Sequence, residues 1–142
     1  MENKVYIYKC NKYDELLVEQ AYQEILVNNG LLDFVKKDMK IGIKVNLVGN
    51  FNPDKAATTH PLLVKILCKL LIERGAIVTI GDSPGGLFTE GILKSAYKGS
   101  GLNICEEVGA ILNYDVSTSN IKVDKQVVKN LDVSNWLLNQ DA

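Results

Sequence analysis

A chain of 142 residues is about the size of one domain, and 16 Lys and Arg against 17 Asp and Glu leave a formal net charge of -1, so the basic surplus that a phosphate-backbone partner needs is missing. Nucleic acid is not an expected partner. Cys10, Cys68 and Cys105 stand far apart and form no CxxC pair, no zinc pattern and no ferredoxin-type run, which leaves no cofactor expected in this chain and suits free thiols in a reducing compartment.

The opening MENKVYIYKC holds no long apolar stretch, and no run elsewhere approaches the roughly 18 residues of a membrane span. A cytoplasmic protein with no membrane partner is expected. Val5 to Tyr8 is β-branched and aromatic and reads as a short strand. Asp14 offers an N-cap, and Leu17, Ala21 and Ile25 recur at helical spacing before Gly30, a natural stop. Leu31 to Asp38 reads as a short helical turn. From Ile41 to Val48, Ile41, Ile43, Val45 and Leu47 alternate with Gly42, Lys44, Asn46 and Val48, the pattern of a strand.

The connection from Gly49 to Thr59 exceeds the roughly 2–6 residues usual between strand and helix, and extra loop length is often functional. Pro61 suits the first position of a helix, which makes His60, the only histidine, the N-cap. Leu62, Leu63, Ile66, Leu67, Leu70 and Leu71 form an apolar stripe that ends at Gly75. Ala76 to Ile80 is then a buried strand, so Ile41 to Ile80 predicts a strand–helix–strand crossover and parallel pairing. A helix follows through Glu90, Leu93 and Tyr97 to Gly99-Ser100-Gly101, then a short helix over Leu102 to Val108. Ala110 to Tyr114 reads as a third sheet strand, and Ile121 to Val128 as a strand or hairpin arm. The expected fold is α/β, a mostly parallel sheet with helices on both faces, in a single domain over residues 1–142.

Lys44 and Asn46, two apart, fall on one face of their strand. Such polar pairs fit either a half-exposed edge strand or a cleft at the carboxyl end of the sheet, where open α/β sheets bind ligands. His60 fits either a plain helix cap or a site residue. It has no His or Cys partner in sequence, and Asp54 and Asp82 are scattered carboxylates, so no metal site is expected. The loop Gly81-Asp82-Ser83-Pro84-Gly85-Gly86 matches neither GxGxxG nor GxxxxGK[ST]. It fits either a tight turn or a nest of backbone amides beside Ser83. Asp82 would repel a bare anion there and favours a ligand that also carries hydroxyl or amine groups.

IKVNLV at 43–48, ATTHPLLVKILCKLLIERGA at 57–76 and IGDSPGG at 80–86, in that order and spacing, resemble the domain of unknown function 362 family of bacteria and archaea. The family pattern falls on Lys44, Asn46, Thr59, His60, Pro61, Gly81, Asp82, Ser83, Pro84 and Gly85. Many members carry a ferredoxin-like domain with iron–sulfur clusters, so the resemblance implies a redox enzyme or redox partner acting on a small polar ligand, with the clusters in a separate domain or protein. In that reading Lys44, His60 and Asp82 are the catalytic candidates, His60 as general acid or base. Asn46, Thr59, Ser83, Gly85 and Gly86 bind the ligand. The alternative is a non-catalytic ligand-binding or scaffold module. Family members continue after a segment like Asn135-Trp136-Leu137-Leu138 into an apolar strand and a second basic motif. The expectation is therefore that residues 1–142 are the N-terminal portion of the family domain, and that they either form a homodimer through an open sheet edge or an exposed apolar patch, or bind no ligand tightly.

Overall fold

The computed structural model describes residues 4–83, 88–124 and 127–142. Helix α1, Glu15–Tyr22, starts where the Asp14 carboxylate accepts the Leu17 amide at 3.2 Å, and it runs on into a π-helical turn at Gln23–Val27. Gly30 then takes a positive φ of 68° and turns the chain away. Leu31 to Asp38 forms turns and no helix, with Leu32 buried and Asp38 itself at φ 63°. Val5 to Tyr8 is likewise no strand. Val5 and Ile7 stand 85% and 91% exposed, because strand-forming side chains without a neighbouring edge to pair with do not make a strand.

Three strands build the main sheet in the order β1 (Lys40–Lys44), β2 (Ile77–Gly81), β3 (Ile111–Leu112), and both pairings are parallel. The crossover between β1 and β2 is helix α2, Pro61–Glu73, as the sequence predicts. Helix α3, Glu90–Ser100, is capped by Thr89 and closed by Gly101 at φ 73°. It leads through a 3-10 segment, Leu102–Val108, to β3. Beyond β3 a hairpin of β4 (Thr118–Lys122) and β5 (Asn130–Ser134) pairs antiparallel and ends in a short helix α4, Asn135–Leu138.

The two sheet faces differ. Ile41, Val78, Ile80 and Leu112 point into a core shared with Val64, Ile66 and Leu71 of α2 and with Leu93 and Leu102. On the opposite face the register places Gly42 beside Thr79 and Lys44 beside Gly81. There the chain's one tryptophan, Trp136 of α4, lies against both glycines. A Cβ on Gly81 would meet Trp136 Cζ2 at 2.5 Å, and one on Gly42 would meet Gln140 Cγ at 2.9 Å. The same face leaves Ile77 and Ile111 partly open to solvent. Along the outer edge of β1, the Asp141 and Ala142 amides donate to Lys40 O and the Gly42 amide donates to Ala142 O at 2.8 Å, the bonding pattern of a parallel strand.

Among the described residues no helix is long and apolar enough to cross a membrane.

Candidate functional site

In an open parallel sheet the carboxyl ends of the strands are where the chain turns into loops and helices, so polar groups gather there. Lys44 is the last residue of β1, and Asp82 and Ser83 directly follow β2. The parallel register sets Lys44 against Gly81, and this brings the Lys44 ammonium to 2.7 Å from Asp82 Oδ1. Asp82 is buried at 5% exposure, while the Lys44 side chain remains 64% open. The carboxylate is held from both sides: Oδ2 accepts the Leu47 amide at 2.8 Å and Oδ1 accepts its neighbour Ser83 N at 2.9 Å. The amide hydrogen bonds and the lysine cation replace the water that this buried carboxylate has lost.

Two further groups close the same edge. Ser83 Oγ lies 2.7 Å from Ser134 Oγ at the end of β5. Behind Asp82, the Tyr97 hydroxyl lies 3.1 Å from both Ile80 O and Asn113 O, tying α3 to the ends of β2 and β3. Burial pushes the Tyr97 phenol well above its ordinary value, with Tyr114 and Asp82 adding to the same effect.

Asn46 is not a strand residue. β1 ends at Lys44, and Asn46 instead anchors the long loop: its amide donates to Thr59 Oγ1 at 2.8 Å, its carbonyl accepts the Thr59 amide at 3.1 Å, and its side-chain Nδ2 donates to Ala57 O at 2.8 Å. These bonds fold the loop back, so that the start of α2 sits beside the end of β1. The loop is also fixed to α3, where Asn50 Nδ2 donates to Ser95 Oγ.

His60 caps α2 as the sequence implies, its Nδ1 accepting the Leu62 amide at 3.3 Å. That bond requires the neutral imidazole with its proton on Nε2. Burial holds the imidazole below its ordinary value, and the Asp54 carboxylate pulls weakly the other way. The ring stacks face to face on Tyr13, with centroids 3.5 Å apart and planes 4° from parallel. Together they line a cleft of ≈ 500 Å³ with Asp54, Thr58, Thr59 and Leu63. Neither Lys44 nor Asp82 lines it. The predicted residues thus fall in two places, Lys44, Asp82 and Ser83 at the sheet edge and His60 and Thr59 in the Tyr13 cleft, with Asn46 bonded to Thr59. Gly85 and Gly86, with Pro84, lie outside the described residues.

Three residues were not among the predicted site residues. Tyr13 stacks on His60, Ser134 bonds Ser83, and Trp136 covers the glycines beside Lys44. For Trp136 there was a signal: glycine inside a strand marks a close approach, and Gly42 and Gly81 are two of them. Among the described residues, no three His, Cys, Asp or Glu side chains are grouped to hold a metal ion.

No curated protein and no solved structure matches the chain. A family profile described as "Domain of unknown function (DUF362)" matches residues 41–142, a stretch that contains all of the main sheet but Lys40, together with α2, α3, Lys44, His60 and Asp82 but not Tyr13. That match covers well over half of the chain, which belongs to the DUF362 family.

Proposed function

We propose that this chain binds a small metabolite carrying an oxyanion next to a hydroxyl or amine, seated at the carboxyl edge of β1 and β2. One observation carries the reading: an exposed ammonium, Lys44, held in place by a buried carboxylate, Asp82, at the ends of adjacent parallel strands. A lysine pinned in this way has lost the rotamer freedom that binding would otherwise cost, and it presents a fixed positive charge to solvent. Asp82 offsets much of that charge for a bare anion. It has one acceptor position beyond the three already used by Lys44, Ser83 and Leu47, and a ligand hydroxyl or amine suits it. The ligand's oxyanion therefore meets Lys44, and its neighbouring donor meets Asp82.

The iron–sulfur-linked redox setting is supported by the family resemblance alone. The Lys44–Asp82 geometry supports binding, whichever chemistry follows. Thermal unfolding against small 2-hydroxycarboxylates, 2-aminocarboxylates and hydroxylated phosphate esters tests this, because a ligand that binds only the folded chain raises its melting temperature by mass action. At least one compound of this class should raise it, and Lys44→Ala should abolish the shift. No shift with any of them, or a shift that survives Lys44→Ala, contradicts the reading.

A further inference from the structure

Trp136 is 5% exposed, and its indole Nε1 is buried with no hydrogen-bond partner among the described residues. An indole N–H can only donate, and tryptophan is usually buried with that donor satisfied. A buried orphan donor in a native fold calls for a missing acceptor. The ring's placement shows where the acceptor belongs. Cζ3 is the atom nearest Gly42, whereas Cζ2, Cε2 and Cη2 lie against Gly81. Cε2 carries Nε1, and it lies across the six-membered ring from Cζ3. The line from Gly42 to Gly81 therefore points Nε1 toward the carboxyl end of the sheet, where Gly81 stands beside Lys44 and precedes Asp82. Lys44, Gly42 and Gly81 share this face.

We infer that the Trp136 indole N–H is a second donor to the oxyanion held by Lys44, so that α4 closes the site with an aromatic wall and one directed hydrogen bond. This rests on the binding reading above and extends it. A carboxylate and a phosphate ester supply the same acceptor oxygens, so the shared chemistry is an oxyanion with an adjacent hydroxyl. Gly81 then has a functional reason beyond packing: a Cβ there would fall 2.5 Å from Trp136 Cζ2, push the indole off the sheet and carry its N–H away from Lys44. Ser134, next to α4, is bonded to Ser83 and ties the tryptophan segment to the loop that follows β2.

The chain has one tryptophan, so a ¹⁵N-labelled sample gives one indole cross-peak to follow. The intact chain is titrated separately with L-malate and with glycerol 3-phosphate, which distinguishes a carboxylate from a phosphate source. A saturable downfield shift of the indole proton with either probe, absent in Lys44→Ala, is expected. Calorimetry on Trp136→Phe, which keeps an aromatic wall without the donor, should show that probe binding about tenfold more weakly. Binding that Lys44→Ala removes but that leaves the indole proton unmoved and Trp136→Phe unaffected would overturn the role of Trp136 while leaving the Lys44 site standing. An indole proton unmoved by either probe, with no heat of binding from either, would overturn both.

Discussion

Lys44 Nζ and Asp82 Oδ1 lie 2.7 Å apart because a parallel register brings the ends of two strands together across a crossover helix. The two partners differ in what they do for the fold. Asp82 takes the amide of Leu47, a residue with no exposure, whereas Lys44 reaches it from solvent.

Asp82→Ala leaves the Leu47 amide without an acceptor and should cost about 1–3 kcal/mol of stability. Lys44→Ala removes an ion pair whose cation is mostly exposed, and it should cost less than about 1 kcal/mol. Urea unfolding of both variants checks the order. A Lys44 variant less stable than the Asp82 variant would contradict this division of roles.

Stability should fall on the acid side through His60. Burial lowers the folded imidazole's proton affinity, and the Leu62 cap bond needs its unprotonated Nδ1. The unfolded imidazole therefore takes up its proton first as the pH drops. The contribution is full above the ordinary histidine value of about 6.5 and is lost as the pH falls through the lower folded value. His60→Asn keeps a side-chain acceptor at the cap but does not titrate. Melting temperatures followed from neutral pH downward should decline more steeply in wild type than in His60→Asn, and equal slopes would refute the assignment.

Gly81→Ala places a methyl 2.5 Å from Trp136 Cζ2, against a ring that cannot fold aside, and should cost about 1–3 kcal/mol while shifting tryptophan emission to the red. Gly42→Ala meets Gln140 Cγ, part of a flexible side chain, and should cost less. Emission spectra and unfolding of the pair distinguish the two, and an unperturbed Gly81→Ala would show that the indole does not rest on the sheet.

The thiols provide a packing check. Cys10 is exposed, whereas Cys68 and Cys105 have no exposure, and the neighbouring Cys105 thiol together with burial pushes the Cys68 thiol far up. Ellman's reagent should titrate one thiol in the native chain and all three in denaturant. Rapid reaction of all three under native conditions would mean that the interface between α2 and the 3-10 segment is open.

Features set by local chemistry were legible in the sequence. Asp14 and His60 cap their helices, Gly101 ends α3, and the apolar strand after α2 pairs parallel with the strand before it. Lys44 was legible as a candidate from the polar alternation within Ile41 to Val48, and Asp82 from the loop after the next strand, although their contact depends on register. What the sequence hid was decided by tertiary partners. Val5 to Tyr8 has strand propensity but no edge to join. Asn46 keeps the alternating pattern of β1, yet its backbone is taken by Thr59, which ends the strand early. His60 stacks on Tyr13, a residue of the N-terminal segment that no local pattern links to α2. Trp136 reaches the sheet from the far side of a hairpin, and only the two glycines beneath it hinted at its arrival.

The central claim, a ligand site at the Lys44–Asp82 edge and not in the Tyr13–His60 cleft, is tested most directly by mapping backbone amide shifts in ¹⁵N spectra as L-malate or glycerol 3-phosphate is added. Saturable changes should centre on Lys44, Leu47, Asp82 and Ser83, the residues joined through the Asp82 carboxylate. Changes centred on Tyr13, Asp54, Thr58 and His60, with the sheet edge unmoved, would place the site in the other cleft and contradict the account.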